Sequence, residues 1–232
     1  MTSHPKIDSK LESERLLLVE GIDDRHAIFH LVRLVYRADP VFGIHECGSD
    51  DGVLDNLAAR LVSSTPRQKI LGLVLDADIE GSNSEKVIKS RLDQLTSRAG
   101  AYYPIPAVFP EEGLLLDPLT NRPDSDRLPR LGVWLMPNNK AFGMFEDLLI
   151  KSLPDDFAEY TTAVVKKAKV DGIAKFKDSH LSKAVIHTYL AWQDPPDIHR
   201  LGLAITRGNF SDIQSECKAF LNWIEGLFGS AQ

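Results

Sequence analysis

A parallel α/β sheet flanked by helices, with an α-rich C-terminal annex, is the fold class that this chain predicts, and three observations carry it. Short apolar runs at residues 16–19, 70–75 and 131–136 read as buried strands, because parallel strands covered on both faces lose the polar alternation of a half-exposed sheet. Segments of helical periodicity follow the first strands, and repeated strand-then-helix units imply parallel pairing through right-handed crossovers. Beyond Gly143 the spacing is helical almost throughout.

Residues 1–14 are polar and expected to form a flexible N-terminus ahead of an α/β core at 15–150 and a helical annex, packed on that core, at 151–232. The first strand runs to about Glu20. Asp23 or Asp24 then caps a helix whose stripe is Ala27, Ile28, Leu31, Leu34 and Val35. Residues 41–46 suggest a second strand, Gly48-Ser49-Asp50-Asp51 a turn and cap, and Val53, Leu54, Leu57, Ala58 and Leu61 the buried face of a second helix. The strand at 70–75 ends in Asp76-Ala77-Asp78. Gly81-Ser82-Asn83-Ser84 then opens a third helix, with Val87, Ile88, Leu92 and Leu95 on one side. A short strand is expected at 105–109. Residues 110–129, with several prolines, read as a long surface loop with a hairpin around Leu114-Leu115-Leu116 and Asn121-Arg122. The strand at 131–136 stops at Pro137-Asn138-Asn139. Helices are expected with Met144, Leu148 and Leu149, after Asp155-Asp156, at about 179–192 and at 211–228.

A chain of 232 residues, 43% hydrophobic and 26% charged, buries a full core as one large domain or a domain with an annex. Cys47 and Cys217 are too few for a disulfide framework, and no apolar run approaches membrane-spanning length. A soluble cytoplasmic protein without membrane contact is expected. The net charge of −6 disfavours coating nucleic acid by charge alone, although part of the excess is a cluster of acids that a cation would offset.

That cluster is the main functional signal. Glu20 ends the first strand and Asp24 follows it; Asp76 and Asp78 end the third. Ligands of open α/β sheets bind at this edge, and residues two apart in an extended strand point the same way. Four or five such carboxylates repel one another unless a cation sits among them, and hard oxygen donors select Mg²⁺ or Mn²⁺. Asp24, Glu80, Glu146 or Asp147 would suit a second metal or an outer shell. The simpler alternatives are that Asp76 and Asp78 cap a turn or helix, and that Glu146 and Asp147 lie in the first turn of a solvated helix. His26 and His30, with His45 and Cys47, lack a complete zinc set and read as a helix-surface pair. Lys166-Lys167-Ala168-Lys169 and the set Lys86, Lys89 and Arg91 read as solvated helix faces; one bordering the acids would hold phosphate backbone.

The order Val19-Glu20-Gly21-x-x-Asp24, then Asp76-x-Asp78 after an apolar strand, resembles the Toprim superfamily of topoisomerases, bacterial primases and overcoming-lysogenization-defect nucleases. The match covers roughly residues 15–100. It implies a Toprim-like sheet, Glu20 as general acid/base or metal ligand, and Asp76 and Asp78 as metal ligands. Those nucleases also carry a downstream lysine that steadies transition-state charge; Lys183 is the candidate here, against the alternative of a solvated lysine. Trp134-Leu135-Met136-Pro137-Asn138-Asn139, Gly143-Met144-Phe145-Glu146-Asp147 and residues 187–193 resemble small stand-alone Toprim-like bacterial proteins. Size disfavours a topoisomerase or a primase, and neither a tyrosine domain nor a zinc module is visible in the sequence. The expected function is therefore Mg²⁺- or Mn²⁺-dependent cleavage of DNA or RNA, alone or beside a partner such as an ATPase. A non-catalytic metal- and nucleotide- or nucleic-acid-binding sensor, or an interaction subunit, is the alternative.

Overall fold

The computed structural model describes residues 13–63, 67–78, 83–194, 196 and 201–229. Five strands form one sheet in the order β2-β1-β3-β5-β4: β1 (Arg15–Val19), β2 (Gly43–Glu46), β3 (Ile70–Asp76), β4 (Leu114–Leu116) and β5 (Arg130–Met136). All pairings are parallel except β4 with β5, where Leu115 lies opposite Gly132. The helices are α1 (Ile22–Tyr36), α2 (Asp50–Leu61), α3 (Ser84–Ala99), α4 (Phe145–Lys151), α5 (Asp155–Val170), α6 (Leu181–Ala191), α7 (Leu201–Thr206), α8 (Ile213–Glu216) and α9 (Lys218–Phe228). The α/β class and the helix-rich C-terminal part are as the periodicity predicts.

Strand parity sorts the core into two layers. Leu17, Val19, Val74, Trp134 and Met136 face α1 and the helices from α4 onward. Leu16, Leu18, Leu71, Leu73, Leu75, Leu131, Val133 and Leu135 face α2, α3 and the Tyr103–Leu114 region. The C-terminal helices, together with α1, thus supply one cover of the sheet. From β1 the chain moves outward to β2, then back past β1 to β3. With right-handed crossovers this reversal puts α1 and α2 on opposite faces, which opens a crevice at the carboxyl ends of β1 and β3.

Gly72 and Gly132 lie side by side in register on the layer that α9 covers. A Cβ at Gly132 would stand 2.5 Å from Leu227 Cδ2, and one at Gly72 2.7 Å from Leu17 Cδ1 and 3.0 Å from both Leu227 and Phe228. The missing side chains let α9 lie close against the strands. Gly132→Val is expected to overpack this contact and lower stability by about 1–3 kcal/mol, read as a lower urea midpoint with an unchanged slope.

Several local expectations change. Residues 105–109 form no strand, because Pro104, Pro106 and Pro110 deprive the segment of ladder donors. Leu114–Leu116 is a strand, but its partner is β5, and the Trp223 indole donates to the Leu114 carbonyl at 3.0 Å to cover the end of this edge. The expected last helix is divided at Cys217 into α8 and α9. Gly21 occupies the cap position of α1, and Asp24 serves that cap from inside the first turn. Ser49 caps α2 and Asn83 caps α3. Gly81, Ser82 and Glu80 lie outside the described residues. Among those described, no helix is long and apolar enough to cross a membrane.

Candidate functional site

The crevice is built from three directions. Glu20 follows β1, and its Oε1 accepts the backbone N–H of Asp76 at 2.7 Å, so the first strand's carboxylate is pinned to the end of the third. Asp24 Oδ2 accepts the Gly21 N–H at 2.8 Å, which fixes a second carboxylate at the start of α1. The loop after β5 then folds back over β3, where Ala77 and Gly143 exchange two backbone hydrogen bonds of 2.8 Å. This return delivers α4, whose Glu146 is 2% exposed. Lys183 on α6 places its Nζ 3.7 Å from Glu146 Oε1, while Glu146 Oε2 is buried and has no hydrogen-bond partner.

A buried arginine supports the floor. Arg91, 2% exposed on α3, donates through Nε to the Asp76 carbonyl at 3.0 Å and through Nη1 to Asp50 Oδ2 at 2.6 Å; its Nη2 lies 3.9 Å from Asp78 Oδ1. One planar guanidinium therefore links the end of β3 to the start of α2.

The electrostatics follow from crowding. Burial, then Glu20, Asp24, Glu146 and Asp78, hold the Asp76 carboxyl well above its ordinary range. Burial pushes Glu20 up to about 7 against the opposing Asp76 N–H and Arg91, with Asp24 and Asp50 adding to the rise. Glu146 is also pushed up to about 7, by burial first, with Lys183 opposing and Asp24 and Asp23 reinforcing. Burial raises Asp78 as well, with Arg91 opposing. Burial works against the Lys183 charge, but Glu146, Asp24, Asp76 and Asp23 outweigh it, so its pKa rises.

A carboxyl with a raised native pKa binds its proton more tightly folded than unfolded, so its contribution to stability falls as pH rises from the ordinary 4.5 towards 7. The metal-free protein is thus expected to be more stable near pH 5 than near pH 8 as far as Glu20 and Glu146 decide, with Mg²⁺ recovering part of the loss at pH 8. Thermal melts at the two pH values, with and without Mg²⁺, check this. Equal losses in a Glu20→Gln/Glu146→Gln protein would assign the pH dependence elsewhere.

The structure thus brings Glu20, Asp24, Asp76, Asp78, Glu146 and Lys183 to one crevice. Burial of Glu146 rules out the solvated-helix reading for that residue, and Lys183 faces the acids. Asp147 uses its oxygens differently: Oδ2 accepts the Met144 N–H at 2.7 Å and Oδ1 the Ser182 hydroxyl at 2.6 Å, so it caps α4 and ties it to α6. His30 Nδ1 lies 2.7 Å from Thr206 Oγ1 between α1 and α7, as suits a packing residue. Arg91 is no solvated basic residue. Its mixed neighbours Lys86, Lys89 and Asp93 hid the inward turn, whereas its i, i+4 relation to the core residue Leu95 was the available signal. Asp50 was legible only as a cap-region acid.

Among the described residues no group of three His, Cys, Asp or Glu side chains is poised to hold a metal ion as placed. Mg²⁺ needs less, since it keeps several waters and takes one or two carboxylates. All-oxygen donors, an excess of acid over Lys183 and Arg91, and the orphan Oε2 of Glu146 fit a hydrated ion of this kind.

The sequence model of the family described as Protein of unknown function (DUF3226) matches residues 14–229. No curated protein and no solved structure gives a significant match.

Proposed function

The chain belongs to the family Protein of unknown function (DUF3226), and from its crevice we propose a Mg²⁺- or Mn²⁺-dependent phosphoryl-transfer enzyme, a nuclease acting on DNA or RNA in the cytoplasm. The observation that carries the reading is the Glu20–Asp76 contact at neighbouring strand ends, with Asp24, Asp78 and Glu146 in electrostatic reach of Asp76. A fold without a ligand to bind there has no reason to press these carboxylates together, since each raises the others' proton affinity. The Toprim-like order of the motifs supports the same assignment.

Asp76 and Asp78 would hold the ion, with Glu20 and Glu146 beside it; a bound divalent ion would polarise phosphate and supply a nucleophile at neutral pH. Glu20, with a pKa near neutrality, is suited to accept the proton of an attacking water. Lys183, set beside Glu146, would neutralise charge on the phosphoryl oxygens. Arg91 fixes the Asp76 backbone and orients Asp78.

The reading is tested with Mg²⁺ and Mn²⁺ titrations against supercoiled DNA, single-stranded DNA and RNA. Cleavage that requires the metal and ceases with a chelator is expected. Metal binding without cleavage of any substrate would replace the enzyme with a nucleotide- or nucleic-acid-binding sensor that uses the same carboxylates.

A further inference from the structure

Beside the acids lies a cleft of about 270 Å³ whose walls include Asp78, Phe142, Met144, Leu181 and Ser182. Most of its exposed lining is apolar, and of its three carboxylates Asp147 is committed to Met144 and Ser182, Asp178 is paired with Lys169, and Asp78 is shared with the acidic cluster. Phe142 is 42% exposed, and its backbone is not free to turn away. Its N–H donates to Ser84 Oγ at 2.8 Å, and the following residue, Gly143, is locked into the bridge with Ala77. Gly143 takes φ +145°, and a Cβ there would stand 2.5 Å from Asp147 Oδ2, so this turn is built to a fixed shape. An exposed aromatic ring on a fixed backbone thus lines a largely apolar slot that shares Asp78 with the groups suited to a metal-bound phosphate.

We infer that this cleft receives one unpaired nucleobase, stacked on Phe142, of the nucleic acid whose phosphate reaches Asp76, Asp78 and Lys183. The inference rests on the phosphoryl-transfer reading and narrows its substrate to single strands, frayed ends or flipped nucleotides. A base inside a duplex has both faces covered by its neighbours and cannot offer one to Phe142, whereas an unpaired base stacks on an aromatic ring whatever its sequence. The charge distribution agrees. A duplex is held by a broad basic surface, whereas the described cations beside the crevice and cleft, Lys183, Arg91 and Lys169, are few and each is already paired with a carboxylate.

The test measures fluorescence anisotropy of a labelled single-stranded oligonucleotide and of its blunt duplex with the full chain in Mg²⁺, using Glu20→Gln to suppress cleavage. Single strands are expected to bind more tightly than duplex. Adding Phe142→Ala should weaken single-strand binding by about 5- to 100-fold, and adding Phe142→Tyr should leave it near the Glu20→Gln value. Rescue by Tyr but not by Leu separates stacking from a folding defect. Unchanged affinity in Phe142→Ala, equal rescue by Leu, or duplex binding equal to single-strand binding would overturn the inference. Metal-dependent cleavage of both forms, untouched by Phe142→Ala, would sink the base cleft and leave the nuclease standing. No binding and no cleavage of any nucleic acid would remove both.

Discussion

Glu20→Gln is expected to reduce metal-dependent cleavage by about 10²- to 10⁴-fold, the range set by loss of a positioned acid–base group, and Asp76→Asn to abolish it together with the metal, while each raises the melting temperature of the metal-free protein at pH 8. The two effects have one cause. Glu20 carries a carboxyl that burial and its acidic neighbours push up to about 7, so ionising it at pH 8 opposes folding by at most about 3 kcal/mol. Glutamine keeps an oxygen that can accept the Asp76 N–H and removes the charge. In a chain of this size the gain amounts to several degrees. Activity loss with a lower melting temperature would mean that the carboxylate serves the fold, and the crevice would then lose its main claim to chemistry.

Arg91→Leu should have the opposite signature. It removes the guanidinium that joins the Asp76 carbonyl, Asp50 and Asp78 from a site that is 2% exposed. The carboxylate partners are 36% and 27% exposed and can hydrate, so the loss is that of stranding the Asp76 carbonyl and the buried end of the pair, about 1–3 kcal/mol. Arg91→Lys recovers little, because one ammonium cannot donate in the three directions the guanidinium covers. Urea unfolding measures the loss. A change below about 1 kcal/mol, the scale of an exposed pair, would show that Asp50 and Asp78 hydrate freely and that Arg91 does not support the floor.

These two residues mark how far the sequence could be read. Glu20, Asp76 and Asp78 were legible because strand ends are visible as apolar runs that stop, and because parallel strands bring such ends together. Helices α1, α2 and α3 were legible from spacing and caps. Arg91 was not, since one arginine among lysines on a helix looks solvated until the neighbouring strand and α2 are placed around it. The meeting of Glu146 with Lys183 depends on the Ala77–Gly143 bridge and on how α4 packs against α6, which no local pattern encodes. The strand expected at 105–109 failed where prolines outweighed apolar character. The break at Cys217 carries no glycine or proline to announce it.

A divalent-cation site at the carboxyl ends of β1 and β3, as we propose, can be measured through the ion itself. Electron paramagnetic resonance of Mn²⁺ titrated into the metal-free protein tests it most directly, because free Mn²⁺ gives the signal and bound ion is lost from it. The parent chain should bind Mn²⁺ in competition with Mg²⁺, and Asp76→Asn should abolish that binding while remaining folded. Mn²⁺ binding of equal affinity in the parent and in Asp76→Asn, or none in the parent, would mean that these strand ends hold no cation.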